Sequence, residues 1–340
     1  MTGRILVERS GSAFVTDLGR TTGPRFGLAT NGALDQRSAK VANVLVANDL
    51  NAPLIEITAF ELSLWVEAEL LIAVTGAELS FTVNGHQRPQ WQPVAVSRGD
   101  YVVIGPMTRG LRAYLAIYGS VEATYLLDSC APDSAIGFGA ALHPGEVLTT
   151  NVDSVLAVNP YLGVPFFNFE AFPAPMLSMP VIDVTDGPDI DEFGDEAPYL
   201  FTKPYTLSPV SNHIGLRFAG GPIPQRCTSD EKLSRGVPIG AVEVAHGDEL
   251  LVLHRGRGVT AGYPVLGVVT ASSLDTLAQV RPAQQVRFRR TDVATAVLCR
   301  RAENQKLRAL AQRVGNAFTE LGLNVSSLDR NPDTATLTCS

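Results

Sequence analysis

The feature that most constrains the fold is a repeated turn between apolar strands. Residues 94–104 and 242–252 share one template, in which alternating apolar residues lead into Gly-Asp and three consecutive apolar residues follow it. The turn is Gly99-Asp100 in the first copy and Gly247-Asp248 in the second. Because glycine adopts the backbone angles that tight turns require, each copy predicts a strand, a tight turn and a returning strand.

The rest of the chain continues this pattern of short strands. Weaker copies of the turn occur at residues 143–148 and 281–286, so each half carries a strong turn followed by a weaker one. We therefore predict two related β-rich halves. The predicted strands cover residues 55–58, 62–66, 70–74, 79–83, 94–96, 101–104, 112–117, 216–218, 242–244, 250–253, 266–270 and 286–288.

Helices are few in this pattern. Residues 38–48 and 189–196 form short helical candidates, and Ser273 is placed to cap a turn that runs to residue 278. The longest helical candidate covers residues 291–321. Its apolar positions fall on one face and are Leu307, Leu310, Val314 and Phe318.

Composition and charge exclude several classes of protein. With 45% apolar and 18% charged residues, the chain is not intrinsically disordered, and a net charge of −7 without a Lys/Arg run argues against a nucleic-acid partner. No apolar stretch approaches the about 20 residues of a membrane span, so we expect no membrane association. Four separated cysteines without a Cys-x-x-Cys pair, and no apolar leader, favour reduced thiols and a cytoplasmic location.

The motifs of self-sufficient enzymes are absent from the sequence. It has no P-loop, no His-Glu-x-x-His, no Gly-x-Ser-x-Gly, no dinucleotide fingerprint and no Met-Lys-Met biotin attachment site. The five histidines lack metal-ligand spacing, and the acidic run at residues 186–196 lacks the regular alternation of a calcium loop. We expect that run to begin a helix, whose positive end favours carboxylates, and we predict no metal site.

Several polar residues of the first half have both a functional and a structural interpretation. Arg20 can bind a carboxylate or phosphate through two parallel hydrogen bonds, or pair with Asp35 to hold the first loop. Asn43 lies in a predicted helix, where an amide is disfavoured, so we expect it to bond either backbone or a ligand. Glu56 and Arg112 lie on predicted strands, where each can equally belong to a structural ion pair.

Further stretches complete a longer pattern, at residues 55–58, 73–77, 110–119, 211–217, 234–241 and 260–264. In this order they resemble the allophanate hydrolase subunit 2 family, also called the Kip-antagonist or biotin-dependent carboxyltransferase subdomain family. Its bacterial members include the C subunit of the ATP-dependent 5-oxoprolinase. The resemblance runs from about residue 5 to residue 288, and its specificity comes from the order of the motifs rather than from any one of them.

The resemblance implies a mainly β fold. It consists of two cyclophilin-like β-barrel halves with a few short helices and a C-terminal helix. We place the N-terminal half at residues 1–155, a linker at 156–180, the C-terminal half at 181–290, the helix at 291–322 and a tail at 323–340.

The resemblance also implies an enzyme complex. Family members act with a Kip-inhibitor-like protein, which is called subunit 1 or the B subunit. The 5-oxoprolinase complex adds an A subunit, and it uses ATP to open the lactam 5-oxoproline into glutamate. ATP is then a co-substrate, with the partner protein as one place for its site, and this chain carries no covalent biotin. On this hypothesis the catalytic residues are Asp35, Arg20 and Tyr263. The substrate-binding residues are Asn43, Glu56, Arg112, Arg217, Arg257, Thr260 and Gly262.

The chain also departs from the family pattern. The family's Gln before Asp-x-Gly-Arg is Thr16, an arginine is lost from residues 128–132, and His213 replaces the arginine of Ser-Asp-Arg-Met-Gly. The Asp and Gln of the family's Asp-Arg-Gln motif are Gly256 and Gly258, and glycine has no side chain for proton transfer. Three hypotheses stay open: a component of a lactam or amide hydrolase, the carboxyltransferase half of a urea-carboxylase-like system whose biotinylated carrier lies elsewhere, and a non-catalytic regulatory partner of a Kip-like protein.

Overall fold

A computed structural model of the chain describes residues 3–151, 168–227, 232–245 and 249–323. Residues 156–167 of the predicted linker and 324–340 of the predicted tail lie outside this description.

The chain divides into two units, and each is formed from more than one segment. The first unit consists of Met1–Thr21, Gln36–Ala174 and Glu303–Ser340. The second unit consists of Thr22–Asp35 and Pro175–Ala302. A short segment near the N-terminus therefore belongs to the second unit, and most of the C-terminal helix belongs to the first.

The first unit is built on one nine-stranded sheet in its described part. Its strands are β1 (Arg4–Arg9), β2 (Ala13–Thr16), β3 (Leu54–Thr58), β4 (Leu62–Val66), β5 (Leu70–Val83), β6 (His86–Gln87), β7 (Pro93–Val96), β8 (Tyr101–Ile117) and β9 (Val147–Thr149). The hydrogen-bonded order is β2-β3-β8-β4-β1-β9, and β5 pairs with β6, β7 and β8. Alternate side chains of these strands form a single apolar core that extends from Ile5 to Leu148.

Two of these strands are longer than the sequence predicted. The runs at 70–74 and 79–83 form the single strand β5, and the runs at 101–104 and 112–117 form the single strand β8. The two strands pair along most of their length, with register shifts between Gly76 and Phe81. Because bulges absorb the residues between the apolar runs without ending the pairing, the break in the apolar pattern does not end either strand.

The helices of the first unit follow the predicted apolar faces. Helix α1 (Gln36–Leu45) is slightly shifted from the prediction and packs against β5 and β8. The long C-terminal helix, α3 after the short α2 of the second unit, covers Val293–Glu320. The predicted face of this helix is confirmed, because its buried residues include Leu307, Leu310, Val314 and Phe318.

The second unit contains a closed barrel. Its strands are β10 (Val181–Asp186), β11 (Tyr205–Leu207), β12 (Gly215–Ala219), β14 (Ala241–Ala245), β15 (Glu249–Leu253), β17 (Val265–Val269) and β18 (Gln285–Arg290), joined in the order β10-β17-β14-β15-β12-β11-β18. Two short strands, β13 (Arg235–Gly236) and β16 (Thr260–Ala261), pair only with each other, and we call this two-stranded element the ribbon. The predicted mainly β fold is confirmed, with a closed barrel in the second unit and a half-barrel sheet in the first.

Short helices complete the second unit. Helix α2 (Ala271–Leu277) is capped by Thr270, whose hydroxyl accepts a hydrogen bond from the Ser273 N–H. The prediction that Ser273 caps this turn is wrong by three residues, since the Ser273 hydroxyl instead accepts from the Asp183 N–H at 2.9 Å. Two 3-10 helices cover Gly23–Phe26 and Ile190–Phe201.

The turn repeat is visible in the hydrogen bonds. In turns 97–100, 143–146 and 281–284, the first residue's N–H donates to the side-chain oxygen of the fourth, at 2.8, 3.0 and 3.0 Å. The fourth residue's N–H donates back to the carbonyl of the first, at 3.0, 3.1 and 3.0 Å. The third residue has a positive φ in each turn and is glycine except for Ala283, at 65°. The two weaker copies are thus the same turn.

The strong copies differ in how their strands pair. In the second copy, β14 and β15 pair directly, as predicted, around a turn at 246–248 that lies outside the described residues. In the first copy the expected hairpin is not formed, because β7 pairs with β5 while β8 pairs with β3, β4 and β5. The long strand β5 takes the place that the returning strand would occupy.

Candidate functional site

A buried carboxylate organises the first polar motif. Asp17 accepts hydrogen bonds at one oxygen from the Gly19 N–H at 2.8 Å and the Ser129 hydroxyl at 2.7 Å. Its other oxygen accepts from the Cys130 N–H at 2.8 Å. Asp17 and Ser129 are almost fully buried, so these bonds replace water at both carboxylate oxygens. Burial, followed by the nearby Asp17 carboxylate, raises the pKa of the Cys130 thiol well above its ordinary value.

Arg20 completes this cluster. Its Nε–H and Nη2–H donate to the carbonyls of Leu126 at 3.0 Å and Ala131 at 2.8 Å. Its Nη1 lies 3.7 Å from the carboxylate of Asp133, where the sequence suggested Asp35 as the partner. We call Asp17, Arg20, Ser129, Cys130 and Asp133 the Asp17 cluster, and its contacts stabilise the loop 126–133.

Two predicted substrate-binding residues of the first unit contact each other. Glu56 on β3 accepts a hydrogen bond from the Tyr114 hydroxyl at 2.9 Å, and its other oxygen lies 3.3 Å from the Nε of Arg112 on β8. All three side chains are buried. This ion pair between neighbouring strands corresponds to the structural alternative of the prediction.

Asn43 follows its structural alternative too. Its side-chain N–H donates to the Ala52 carbonyl at 2.8 Å, and its side-chain oxygen accepts from Asn48 at 3.3 Å. These bonds close the turn that follows helix α1.

In the second unit, Asp35 and Arg217 also have protein partners. Asp35 is fully buried and accepts a hydrogen bond from the side-chain amide of Gln279 at 2.7 Å. Arg217 on β12 forms an ion pair with Glu249 on β15 at the barrel surface. The remaining predicted residues, Arg257, Thr260, Gly262 and Tyr263, lie on the loop that contains one strand of the ribbon.

The ribbon brings most of these last residues together. Beyond the paired strands, the Val237 N–H donates to the Val259 carbonyl at 3.1 Å, and the Arg257 Nε–H donates to the Val237 carbonyl at 3.0 Å. Thr260 is exposed and Tyr263 is partly buried. A Cβ at Gly262 would lie 3.2 Å from the Lys232 carbonyl, so the loop packs closely there.

An ionic network fixes the ribbon to the barrel. Asp189 accepts hydrogen bonds from Lys232 at 2.6 Å, from the Val265 N–H at 2.7 Å and from Arg235 of the ribbon. Burial opposes ionisation of Asp189, but the hydrogen bonds, that of Lys232 first, outweigh it and lower its pKa. Glu192 also binds Lys232, as well as Arg226 at 2.7 Å. These two residues of the acidic run thus act in ion pairs, and the run begins the 3-10 helix Ile190–Phe201, with Asp191 and Glu192 in its first turn, as its structural interpretation predicted.

Arg257 keeps an unsatisfied donor. The residue is 7% exposed, and its Nη1 has no hydrogen-bond partner among the residues that the structure describes. Burial lowers the pKa of this guanidinium. A buried N–H group without an acceptor costs free energy, so the position favours an acceptor supplied from outside the described chain.

Glu243 is a buried acceptor that lacks a hydrogen-bond donor. It is 1% exposed, and neither carboxylate oxygen accepts a hydrogen bond from any described residue. Burial raises its pKa to about 7, and the nearby Arg235, whose charge acts in the opposite direction, only partly offsets this effect. Glu243 is the buried acid with the strongest claim to function, and the sequence analysis did not select it.

The environment of Glu243 explains why it was missed. On β14 the neighbouring Val242 and Val244 belong to the core inside the barrel, so Glu243 points to the outer face, where a charged residue normally meets water. Its strand partners are Leu251 and Val265, which belong to a small apolar cluster that includes Val237 and Ala261 from the ribbon segments. The signal available in the sequence was a Glu on a strand next to the 234–241 motif.

Another buried donor lies near the turn after β15. The Asn31 N–H donates to the Arg255 carbonyl at 2.8 Å, while the Asn31 side-chain nitrogen has no partner in the described ranges. His254 accepts the Arg255 N–H at its Nδ1, at 3.0 Å, so its Nε2 carries the proton toward the Leu274 carbonyl at 3.4 Å. Both ring nitrogens of His254 are therefore used within the chain.

Two departures from the family pattern touch each other. The Gly256 N–H donates to the His213 carbonyl at 3.0 Å, and a Cβ at Gly256 would lie 2.3 Å from the Cδ2 of His213. Real Cβ atoms do not approach a ring atom this closely, so His213 and a side chain at 256 exclude each other in this conformation. The glycine at 256 accommodates the imidazole at 213.

Two features are absent from the described residues. No helix among them combines the length and the apolar character that a membrane crossing needs. No group of three or more His, Cys, Asp or Glu side chains in the same residues has the arrangement of a metal site.

Comparisons with known proteins place this geometry in a family. The C subunit of 5-oxoprolinase from Escherichia coli (strain K12) is 28% identical over 310 residues, which cover 89% of this chain and 96% of that protein. The crystal structure of TTHA0988 is 30% identical with a TM-score of 0.75 and covers 84% of this chain, which spans 55% of the TTHA0988 chain. The Kluyveromyces lactis urea carboxylase structure is 26% identical with a TM-score of 0.79, over 99% of this chain and 30% of that chain. The sequence model of one protein family, the carboxyltransferase domain, subdomain A and B, matches residues 26–290, so this chain belongs to that family.

Proposed function

We propose that this chain is the C-type component of an ATP-dependent 5-oxoprolinase. The observation that carries the proposal is the extent of the match to the Escherichia coli protein, which covers 89% of this chain and 96% of that protein. A protein whose name describes one subunit is part of a multi-subunit enzyme. Accordingly, the proposed partners are a Kip-inhibitor-like protein (subunit 1, or the B subunit) and the A subunit, with a cytoplasmic location.

The chemistry explains why the reaction needs ATP and positively charged groups. The amide of a lactam is a weak electrophile, and transfer of the γ-phosphoryl group of ATP to its oxygen, with release of ADP, makes the ring carbon a better one. Water then adds to that carbon, the ring C–N bond breaks with protonation of the nitrogen, and phosphate leaves, which yields glutamate. Negative charge develops on oxygen during these steps, so positively charged and N–H donors favour the reaction.

The ribbon region of the second unit supports this chemistry better than the predicted residues of the first unit do. Arg257 presents a buried guanidinium with an unused donor and no ion pair to a described carboxylate, whereas the unused Nη1 donor of Arg20 lies 3.7 Å from the Asp133 carboxylate and Arg112 lies against Glu56. In this proposal Arg257 binds an oxygen of the substrate, and Thr260 and Tyr263 lie on the same loop as Arg257. Asp35 and Arg20 then have positioning roles in the fold.

The alternative is the carboxyltransferase half of a biotin-dependent urea carboxylase or allophanate system. It is favoured by the structural match to the Kluyveromyces lactis urea carboxylase, which extends over 99% of this chain. This function needs a biotinylated carrier on another chain. A regulatory role beside a Kip-like protein needs neither carrier nor ATP turnover.

Reconstitution tests the proposal. The full chain is combined with the B-type and A-type proteins of the same source, and glutamate release from 5-oxoproline and ATP is measured with and without this chain. We expect release that requires all three proteins. A stable complex that releases no glutamate overturns the proposal, and carboxyl transfer to urea from a carboxybiotinylated carrier would establish the alternative.

A further inference from the structure

Two buried side chains of opposite hydrogen-bonding character lie next to the same ribbon segment. Glu243 offers two oxygens that accept no hydrogen bond from the described residues, and Arg257 offers an Nη1 group that donates none to them. Glu243 is 1% exposed and Arg257 is 7% exposed. We call Glu243 and Arg257 the ribbon pair.

Val237 connects the two members of the ribbon pair. Its carbonyl accepts the Arg257 Nε–H at 3.0 Å. Its side chain packs in one apolar cluster with Ala241, which is two residues from Glu243 on the same face of β14, and with Val265, the strand partner of Glu243. Arg257 is therefore bonded to the backbone of Val237, and Glu243 lies on the strand face whose residues cluster with the Val237 side chain.

Burial without a partner needs an explanation in each case. A fold that served stability alone would place an apolar residue at 243, since a carboxyl group among Val237, Leu251 and Val265 loses water and gains no hydrogen bond. The positive charge of Arg235, which acts on Glu243, is engaged by Asp189. A ligand that donates an N–H and accepts at an oxygen would satisfy both members at once.

We propose that the ribbon pair binds the substrate amide, with Glu243 accepting a ring N–H and Arg257 donating to an oxygen of the same ligand. This inference rests on the proposed function and deepens it, because a lactam or cyclic ureide presents an N–H and a carbonyl on the same ring edge. Carboxylate and guanidinium bonds are the strong, charge-assisted kind. The apolar residues around the pair contact the ring carbons.

The test uses two rings that differ in one group. The full chain is titrated with 2-pyrrolidone, which has the ring N–H, and with γ-butyrolactone, which has oxygen there instead, and binding is followed by protein NMR shifts. We expect saturable binding of the lactam in the millimolar range or tighter and about tenfold weaker binding of the lactone. Equal binding of both rings, or no saturable binding of the lactam, overturns the proposal.

Variants then assign the contact. Glu243→Gln and Arg257→Lys are each expected to weaken lactam binding about tenfold. Glu78→Gln, an exposed carboxylate of the first unit that pairs with Arg109 at 3.9 Å, is the matched control and is expected to bind like the unaltered chain. Circular dichroism and the thermal midpoint verify folding. Native-like binding by a folded Glu243→Gln or Arg257→Lys chain contradicts the assignment.

The two proposals fail in different ways. If glutamate release requires this chain but lactam binding is indifferent to the ribbon pair, the function stands and the site assignment is wrong. If the lactam binds through the ribbon pair but the reconstituted complex releases no glutamate, the site stands and the reaction is wrong.

Discussion

The Asp17 cluster of the first unit and the ribbon pair of the second are both buried and charged, yet they differ in how their atoms are used. Both oxygens of Asp17 accept N–H or O–H donors, and Arg20 donates to two carbonyls while its remaining Nη1 group, which makes no hydrogen bond to the described residues, lies 3.7 Å from the Asp133 carboxylate. Glu243 accepts nothing from the described residues, and Arg257 keeps one donor unused. A motif residue whose hydrogen bonds end within the chain serves the fold, while a buried group whose bonds are missing points to a ligand.

The largest expected effect comes from breaking the Asp17 cluster. Asp17→Ala removes the acceptor of three hydrogen bonds and leaves the donors of Gly19, Ser129 and Cys130 buried without it. Because each lost bond ends on a charged group, we expect the free energy of unfolding to fall by about 3–5 kcal/mol. Urea unfolding measures it, and Ser129→Ala is the graded control, with an expected loss of about 1 kcal/mol. An Asp17→Ala loss no larger than that of Ser129→Ala would show that the cluster is not structural.

Glu243 of the ribbon pair should make the folded chain less stable as the pH rises. The pKa of Glu243 is raised from 4.5 to about 7 in the folded chain, so the unfolded chain ionises first as the pH rises. The folded chain should therefore lose stability relative to Glu243→Gln between about pH 4.5 and 7, by about 3 kcal/mol in total. Unfolding curves of both chains at several pH values measure the difference. Parallel curves over this range would mean that Glu243 is not held in an apolar environment.

An intermediate effect is expected where two family departures meet. Gly256→Ala places a Cβ 2.3 Å from the exposed His213 ring and 3.0 Å from the His213 carbonyl, and because the exposed ring can turn away, the cost should be about 1 kcal/mol. His213→Ala removes that ring, so in this background the cost of Gly256→Ala should shrink, with a remainder from the His213 carbonyl at 3.0 Å. A double-mutant cycle by thermal unfolding measures the coupling. Additive effects would separate the two positions and leave the loss of the family's aspartate unexplained by packing.

The smallest effect concerns the turns that the two units share. Ala283 occupies at φ 65° the position that Gly145 occupies at 87° in the equivalent turn. Since an alanine with positive φ is strained, Ala283→Gly should stabilise the chain by about 0.5 kcal/mol and Gly145→Ala should destabilise it by about 1 kcal/mol. Denaturant midpoints with unchanged slopes check both signs. A loss of stability in Ala283→Gly would mean that the turns are not equivalent.

These contrasts also show which parts of the fold the sequence predicts. Strands β3 and β4 and the buried face of α3 follow from local apolar periodicity, and the prediction agrees with the structure. The joining of two apolar runs into the single strand β5 does not follow from that periodicity. The strand continues between the runs because it pairs with β8 through bulges. The local apolar pattern contains no information about a partner strand some tens of residues away.

The site was harder to predict for the same reason. The sequence predicted that Arg20 could pair within the chain, but it suggested Asp35, because the actual neighbour Asp133 is far away in sequence. Glu243 has the alternation of a residue that faces water, but its strand partners Leu251 and Val265 cluster with residues of the ribbon segments before and after β14. The resemblance of the motifs pointed to the ribbon loop, and the burial of Glu243 pointed to the neighbouring strand β14.

The most direct test of this account measures glutamate release by the complex reconstituted with altered chains. Native and Glu78→Gln chains are predicted to support the same rate, while Arg257→Lys and Glu243→Gln are each predicted to lower it about tenfold or more, with the complex intact by gel filtration. A complex that turns over at the native rate with both members of the ribbon pair altered would contradict the claim that the unsatisfied groups of the second unit bind the substrate.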